Sequence, residues 1–223
     1  MNNNIDHVFK SKKYINLKID STLKNTYMLL SLTIIFSAFI ALFTAKFIFV
    51  KINFILTLLI FYGLLFLINY FKASIWGLFF VFFLTGFMGY SLSFHLTPLF
   101  ATRYGMEMIT FSLFLTGFIF AILSMYVLIT KKNFNFLNGF LFVGFFIILI
   151  CIIVNLFFNI PLLGIIISAF FILFSSAAIL YETSNIVNGG ETNYILATIS
   201  LYLQIYNMFV SILSIFNFFS DKD

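Results

Sequence analysis

The chain has 223 residues, 63% of them hydrophobic and only 9% charged, with a mean hydropathy of +1.14. Soluble domains average about 45–50% apolar and about 25% charged residues, so a water-soluble fold is excluded and lipid must be the solvent for most of this surface. The net charge of +5 does not point to nucleic acid: five of the twelve basic residues fall in the first 24 positions, with almost no aromatic interleaving. Lysines beside a first membrane span set topology and meet anionic lipid.

At about 20 residues per span, the length accommodates seven membrane helices. Residues 1–24 read as a polar, basic cytoplasmic tail carrying Lys10, Lys12, Lys13, Lys18 and Lys24, mobile apart from a short interfacial helix near Tyr14 to Leu17. The membrane domain occupies residues 25–219, with spans expected from Thr26 to Phe49, Asn53 to Phe71, Ser74 to Leu96, Glu107 to Thr130, Leu137 to Phe158, Leu162 to Ile186 and Tyr194 to Phe219. Lys51, Lys72, Thr97-Pro98, Lys131-Lys132-Asn133, Asn159-Ile160-Pro161 and Asn188-Gly189-Gly190-Glu191 punctuate them, and residues 220–223 form a short polar tail. The first apolar run is too long for the hydrophobic core of a cleavable signal peptide.

Seven spans put the termini on opposite sides. With the N-terminus inside, the inner segments hold the tail lysines, Lys72, Lys131 and Lys132, against Lys46, Lys51, Arg103 and Lys222 outside. The positive-inside rule then favours a cytoplasmic N-terminus and a periplasmic C-terminus.

Membrane helices associate through small residues and interhelical hydrogen bonds. In the sixth span Gly164, Ser168, Ser175 and Glu182 recur at helical spacing, and in the seventh Ser200, Gln204, Asn207, Ser211 and Ser214 do the same. A polar stripe against lipid leaves donors and acceptors unsatisfied at several kcal/mol each. The expected fold is therefore an all-α polytopic bundle wrapped around a polar seventh helix.

Enzyme signatures are absent: there is no HExxH, CxxC, nucleophile elbow or phosphate-binding glycine loop, no aspartate within a span, and no cofactor motif. His7 and His95 stand far apart, and the single Cys151 sits in an apolar run, where a thiol is inert. Glu182 is the exception. A carboxylate at bilayer depth costs a few kcal/mol and usually marks an interior, functional position. Two readings stand side by side. One is a proton-sensitive latch or cation contact, with Gln204 or Asn207 as hydrogen-bond partners; the other is a carboxyl that snorkels to water or caps the Asn188-Gly189-Gly190-Glu191 turn.

The run Tyr181 to Phe209, YETSNIVNGGETNYILATISLYLQIYNMF, resembles the C-terminal signature of the Bax inhibitor-1 family of seven-span proteins. Asn25 to Leu30, Thr85 to Tyr90 and Ser175 to Leu180 are also similar to it, so the resemblance covers Asn25 to Phe219. It implies six helices around a central seventh. Some bacterial members are pH-sensitive calcium leak channels, with facing aspartates on the sixth and seventh spans as a proton-sharing latch. At the matching positions this chain has Glu182 and Gln204, and a carboxyl–amide pair cannot titrate as a coupled dyad. The members most like this chain are inner-membrane proteins that associate with the membrane-bound AAA protease FtsH and restrain it. The implied partners are thus the lipid bilayer, an FtsH-type protease with its membrane regulators, and, on the channel reading, Ca2+.

Overall fold

The computed structural model describes residues 2–47 and 52–220; for residues 2–16 and Phe54 it describes the backbone alone. Seven helices make up the described residues: α1 (Asn2–Phe47), α2 (Phe54–Tyr70), α3 (Ile75–Phe100), α4 (Gly105–Thr130), α5 (Leu137–Phe158), α6 (Pro161–Val187) and α7 (Tyr194–Ser220). Six contain a stretch long and apolar enough to cross a bilayer, while α2 has only 17 residues. At 1.5 Å per residue α2 rises about 26 Å, a little under a hydrocarbon core of about 30 Å.

Two boundaries differ from the pattern read in the sequence. The helix expected from Thr26 begins at Asn2, so the basic segment is the start of α1 and not a separate mobile tail. No glycine or proline occurs before Gly63, so nothing in the first 47 residues breaks the helix. At the other boundary α3 passes through Thr97-Pro98 to Phe100. Pro98 removes one amide donor in the final turn. The turn survives it: the Thr97 hydroxyl donates to the Ser93 carbonyl at 2.7 Å, and the Ala101 and Thr102 amides donate to Pro98 and Leu99 at 3.2 and 3.0 Å. The expected end of the first span at Phe49, Lys51, and the tail residues Asp221 to Asp223 lie outside the described residues.

The other ends have local causes. Asn53 and Ser74 accept from the amides of Ile55 and Trp76 and cap α2 and α3. Lys131 and Asn159 take positive φ (50° and 48°) and close α4 and α5 with left-handed caps. Pro161 opens α6, where its missing N–H costs nothing.

Helix α7 is the innermost element. It contacts α1, α2, α3, α4 and α6, whereas α5 packs on α6 alone, with only Gly144 and Ile148 of α5 buried. One core cluster joins Leu29, Leu30, Ile68, Val81, Leu84 and Ile186 to the first half of α7; a second joins Ala41, Leu92, Leu96 and Ile109 to Phe209 and Leu213. Helices α1 and α3 cross at Gly89, where a Cβ would run into the Ser37 backbone carbonyl. Only glycine permits that approach. The lysines gather at the ends: hydrogen bonds join Thr22 to Thr192, Asn193 to Lys72 and Ser184 to Lys132. The N-terminal half of α1, the α2–α3 and α4–α5 connections and the α6–α7 turn therefore share one end of the bundle.

Candidate functional site

The α6–α7 turn follows from its glycines. Gly189 has φ +76°, the Gly190 amide donates to the Asn185 carbonyl at 2.8 Å, and the Gly189 amide donates to that of Ile186 at 3.1 Å. This is a Schellman closure with glycine in the left-handed position. Asn188 Nδ2 donates to the Ser184 carbonyl at 2.8 Å. Glu191 accepts the Asn193 amide at 2.6 Å, and Asn193 Oδ1 accepts the amides of Ile195 and Leu196, starting α7. Asn188, Gly189, Gly190 and Glu191 thus form the expected turn, with Glu191 as a structural acceptor.

Glu182 lies on the same face of α6 as Ser175, Ala178, Ile179 and Ile186, all of which are buried. Ile179 packs with Met208 and Ile212 of α7, and Ile186 with the first turns of α7. The half-buried Glu182 between them therefore faces α7 near the level of Gln204, two turns before the α6–α7 turn. Gln204 and Asn207 are half-buried. The Gln204 Oε1 is buried without a hydrogen-bond partner, so it accepts no proton from the Glu182 carboxyl. The Thr183 and Ser175 hydroxyls on α6, and the Thr26 and Tyr27 hydroxyls on α1, are also buried and unpartnered.

The polar stripe on α7 departs from expectation in one respect. Ser211 is buried, but Ser200, Gln204 and Asn207 are half-buried and Ser214 is exposed. Periodicity places these residues on one face, yet that face is not closed, because neither α2 nor α3 reaches α6.

Residues without an evident sequence signal hold the site together. The Tyr202 hydroxyl donates to Ser37 Oγ at 2.6 Å, tying α7 to α1, and Thr198 Oγ1, which donates to the Tyr194 carbonyl at 2.7 Å, lies 3.3 Å from the Thr26 carbonyl. Ser184 Oγ donates to the Lys132 carbonyl and accepts the Phe134 amide, both at 3.0 Å, fastening the α4–α5 connection to α6. A largely apolar cavity of about 250 Å³ lies beside Tyr202, between α1 and α4, whose backbones do not meet. Among the described residues no group of three or more His, Cys, Asp or Glu is placed to hold a metal ion. Cys151 is a free, half-buried thiol on α5.

The model of the family described as Bax1-I, inhibitor of apoptosis-promoting Bax1, matches residues 19–221. The chain belongs to the Bax inhibitor-1 family. Among its curated relatives, the modulator of FtsH protease YccA of Escherichia coli K12 is 45% identical over 204 residues, 92% of this chain and 93% of the relative. An uncharacterised protein of Pseudomonas aeruginosa is 46% identical over 206 residues, with the same coverage. An uncharacterised membrane protein of Vibrio cholerae is 40% identical over 209 residues, 93% of each chain. The match spans all seven helices, so this is a polytopic membrane protein of the Bax inhibitor-1 family, similar along nearly its whole length to a protein named for modulating FtsH.

Proposed function

We propose that this chain is a non-enzymatic, multi-pass inner-membrane protein that binds an FtsH-type AAA protease and restrains it during membrane-protein quality control. The observation that carries this reading is the 45% identity to the FtsH modulator YccA across 92% of this chain. The end of the bundle holding Lys18, Lys24, Lys72, Lys131 and Lys132 is richer in exposed basic residues than the end holding Lys46 and Arg103, so the lysine-rich end is cytoplasmic and the C-terminus periplasmic. The test is the half-life of a membrane substrate of the protease when this protein is deleted or overproduced. Overproduction lengthens the half-life and deletion shortens it; no change in either direction refutes the reading.

A second reading is favoured by one observation, the half-buried carboxyl of Glu182 on the face of α6 that packs against α7. On that reading Glu182 is the proton-sensing or cation-contacting group of a pH-dependent calcium leak, with Gln204 and Asn207 facing it. Purified protein in calcium-loaded vesicles would then pass calcium at a rate that changes with pH, and Glu182→Gln would remove that change. Absence of flux at every pH would sink it.

A further inference from the structure

The cavity beside Tyr202 continues to the surface of the bundle. The rings of Tyr27 and Phe120, 6.1 Å between centroids, bridge α1 and α4 at one end of it. Beyond that bridge the two helices offer Ala38 and Gly117, both exposed, and a Cβ built on Gly117 meets nothing within 4 Å. Leu42 and Leu113, 47% and 55% exposed, complete the mouth. Leu42 also lines a wider groove of about 710 Å³, walled by Phe43 and Lys46 of α1, Phe100 of α3 and Met106 of α4. Ile34, Ala38, Leu42 and Lys46 follow at four-residue intervals and so share a face of α1; Gly117, Leu113, Ile109 and Met106 make the matching row on α4. The cavity and the groove are thus one slot, running from the middle of the bundle to its Lys46 end.

Chemistry narrows what fills this slot. A buried water needs two to four polar partners. Here Tyr202 and Ser37 bond to each other, and Thr116 donates to the Ser112 carbonyl. A further helix is about 10–12 Å across, too wide for the 250 Å³ cavity. Hydrocarbon fits: an apolar cavity of about 150 Å³ already takes up benzene, and this mouth opens onto the lipid-facing side chains of Leu42 and Leu113. The length agrees as well. From Ile34 to Lys46 the slot rises about 18 Å, against about 15 Å for one leaflet of a hydrocarbon core of about 30 Å. Among the described residues Lys46 is the one charged side chain lining either part, and it stands at the end where a headgroup phosphate would lie.

We propose that the slot between α1 and α4 binds a membrane phospholipid, with one acyl chain in the cavity beside Tyr202 and the phosphate at Lys46. The site does not depend on the protease reading. The test reconstitutes the whole chain in phosphatidylcholine vesicles with a trace of phosphatidylglycerol bearing a diazirine midway along one acyl chain. After illumination, labelled peptides are mapped. Label appears on α7 at Tyr206 and at Phe209, which is buried away from bulk lipid. Ala38→Phe and Gly117→Phe fill the mouth from either side; each lowers the α7 label at least fivefold and leaves the unfolding temperature no lower. Gly63→Phe, on an exposed face of α2 with nothing within 4 Å of its Cβ, leaves the label unchanged. Lys46→Gln, an exposed position outside the core, lowers it about fivefold, the effect of one cation near an anionic headgroup. Label confined to outward residues such as Phe114 and Phe118, or α7 label that persists in both filled variants, overturns the site. Label on α7 that is unchanged in Lys46→Gln overturns the phosphate contact and with it the phospholipid as occupant.

Discussion

The Tyr202 hydroxyl on α7 donates to Ser37 Oγ on α1 at 2.6 Å, one residue pair that locks the innermost helix to the first. The same hydroxyl reaches the Thr85 carbonyl of α3 at 3.4 Å, so one side chain sits where three helices converge. Removing it by Tyr202→Phe should cost about 1 kcal/mol, read as unfolding in mixed micelles. In the Ser37→Ala background the loss should shrink to a few tenths. Equal losses in both backgrounds would mean that the bond does not couple the helices.

The crossing of α1 and α3 depends on the missing side chain at Gly89. Gly89→Ala should destabilise by about 1–3 kcal/mol, because the added carbon meets backbone, which cannot rotate away. Gly117 on α4 has nothing within 4 Å of a built Cβ, so Gly117→Ala should lie within about 1 kcal/mol of neutral and on the stabilising side. Thermal unfolding of the two variants side by side gives the comparison.

At the α6–α7 turn, Gly189→Ala must hold an L residue at φ +76° and should lose about 1–2 kcal/mol. Gly189→Asn should lose less, since asparagine tolerates that region. If the two substitutions are equally costly, crowding against Ile19 rather than backbone conformation is responsible.

Ser184→Ala deletes a hydroxyl that both donates and accepts between α6 and the α4–α5 connection. It leaves the Phe134 amide without its partner, at about 1–3 kcal/mol if that amide stays dry. Protease added to inside-out vesicles should cut residues 131–136 faster in this variant than in the unmodified protein.

Gln204→Leu removes an unpartnered buried acceptor. The isolated protein should become about 1 kcal/mol more stable in micelles. A loss of stability instead would mean that the Gln204 amide group is packed as an ordinary part of the core.

Much of this architecture was legible in the residues. The ends of α5, α6 and α7 lie where Asn159-Ile160-Pro161 and Asn188-Gly189-Gly190 put them, because proline and left-handed caps act locally. The start of α1 was hidden: a lysine-rich segment reads as a solvated tail, and only the lack of any glycine or proline before Gly63 hinted that the helix would continue through it. Glu182 was correctly placed on the face of α6 with Ser175, since spacing reports which residues share a side. Spacing does not report which neighbour covers that side, so the opening along Gln204 and Asn207 was invisible until the separation of α3 from α6 was seen. Ser184 carried no signal, because its role depends on a connection 50 residues away.

The most direct measurement reconstitutes the purified FtsH-type protease and a membrane-anchored substrate in vesicles, with and without this protein. Degradation should slow as this protein is added and level off once the protease is saturated. A degradation rate that is the same at every concentration of this protein would contradict the account at its centre.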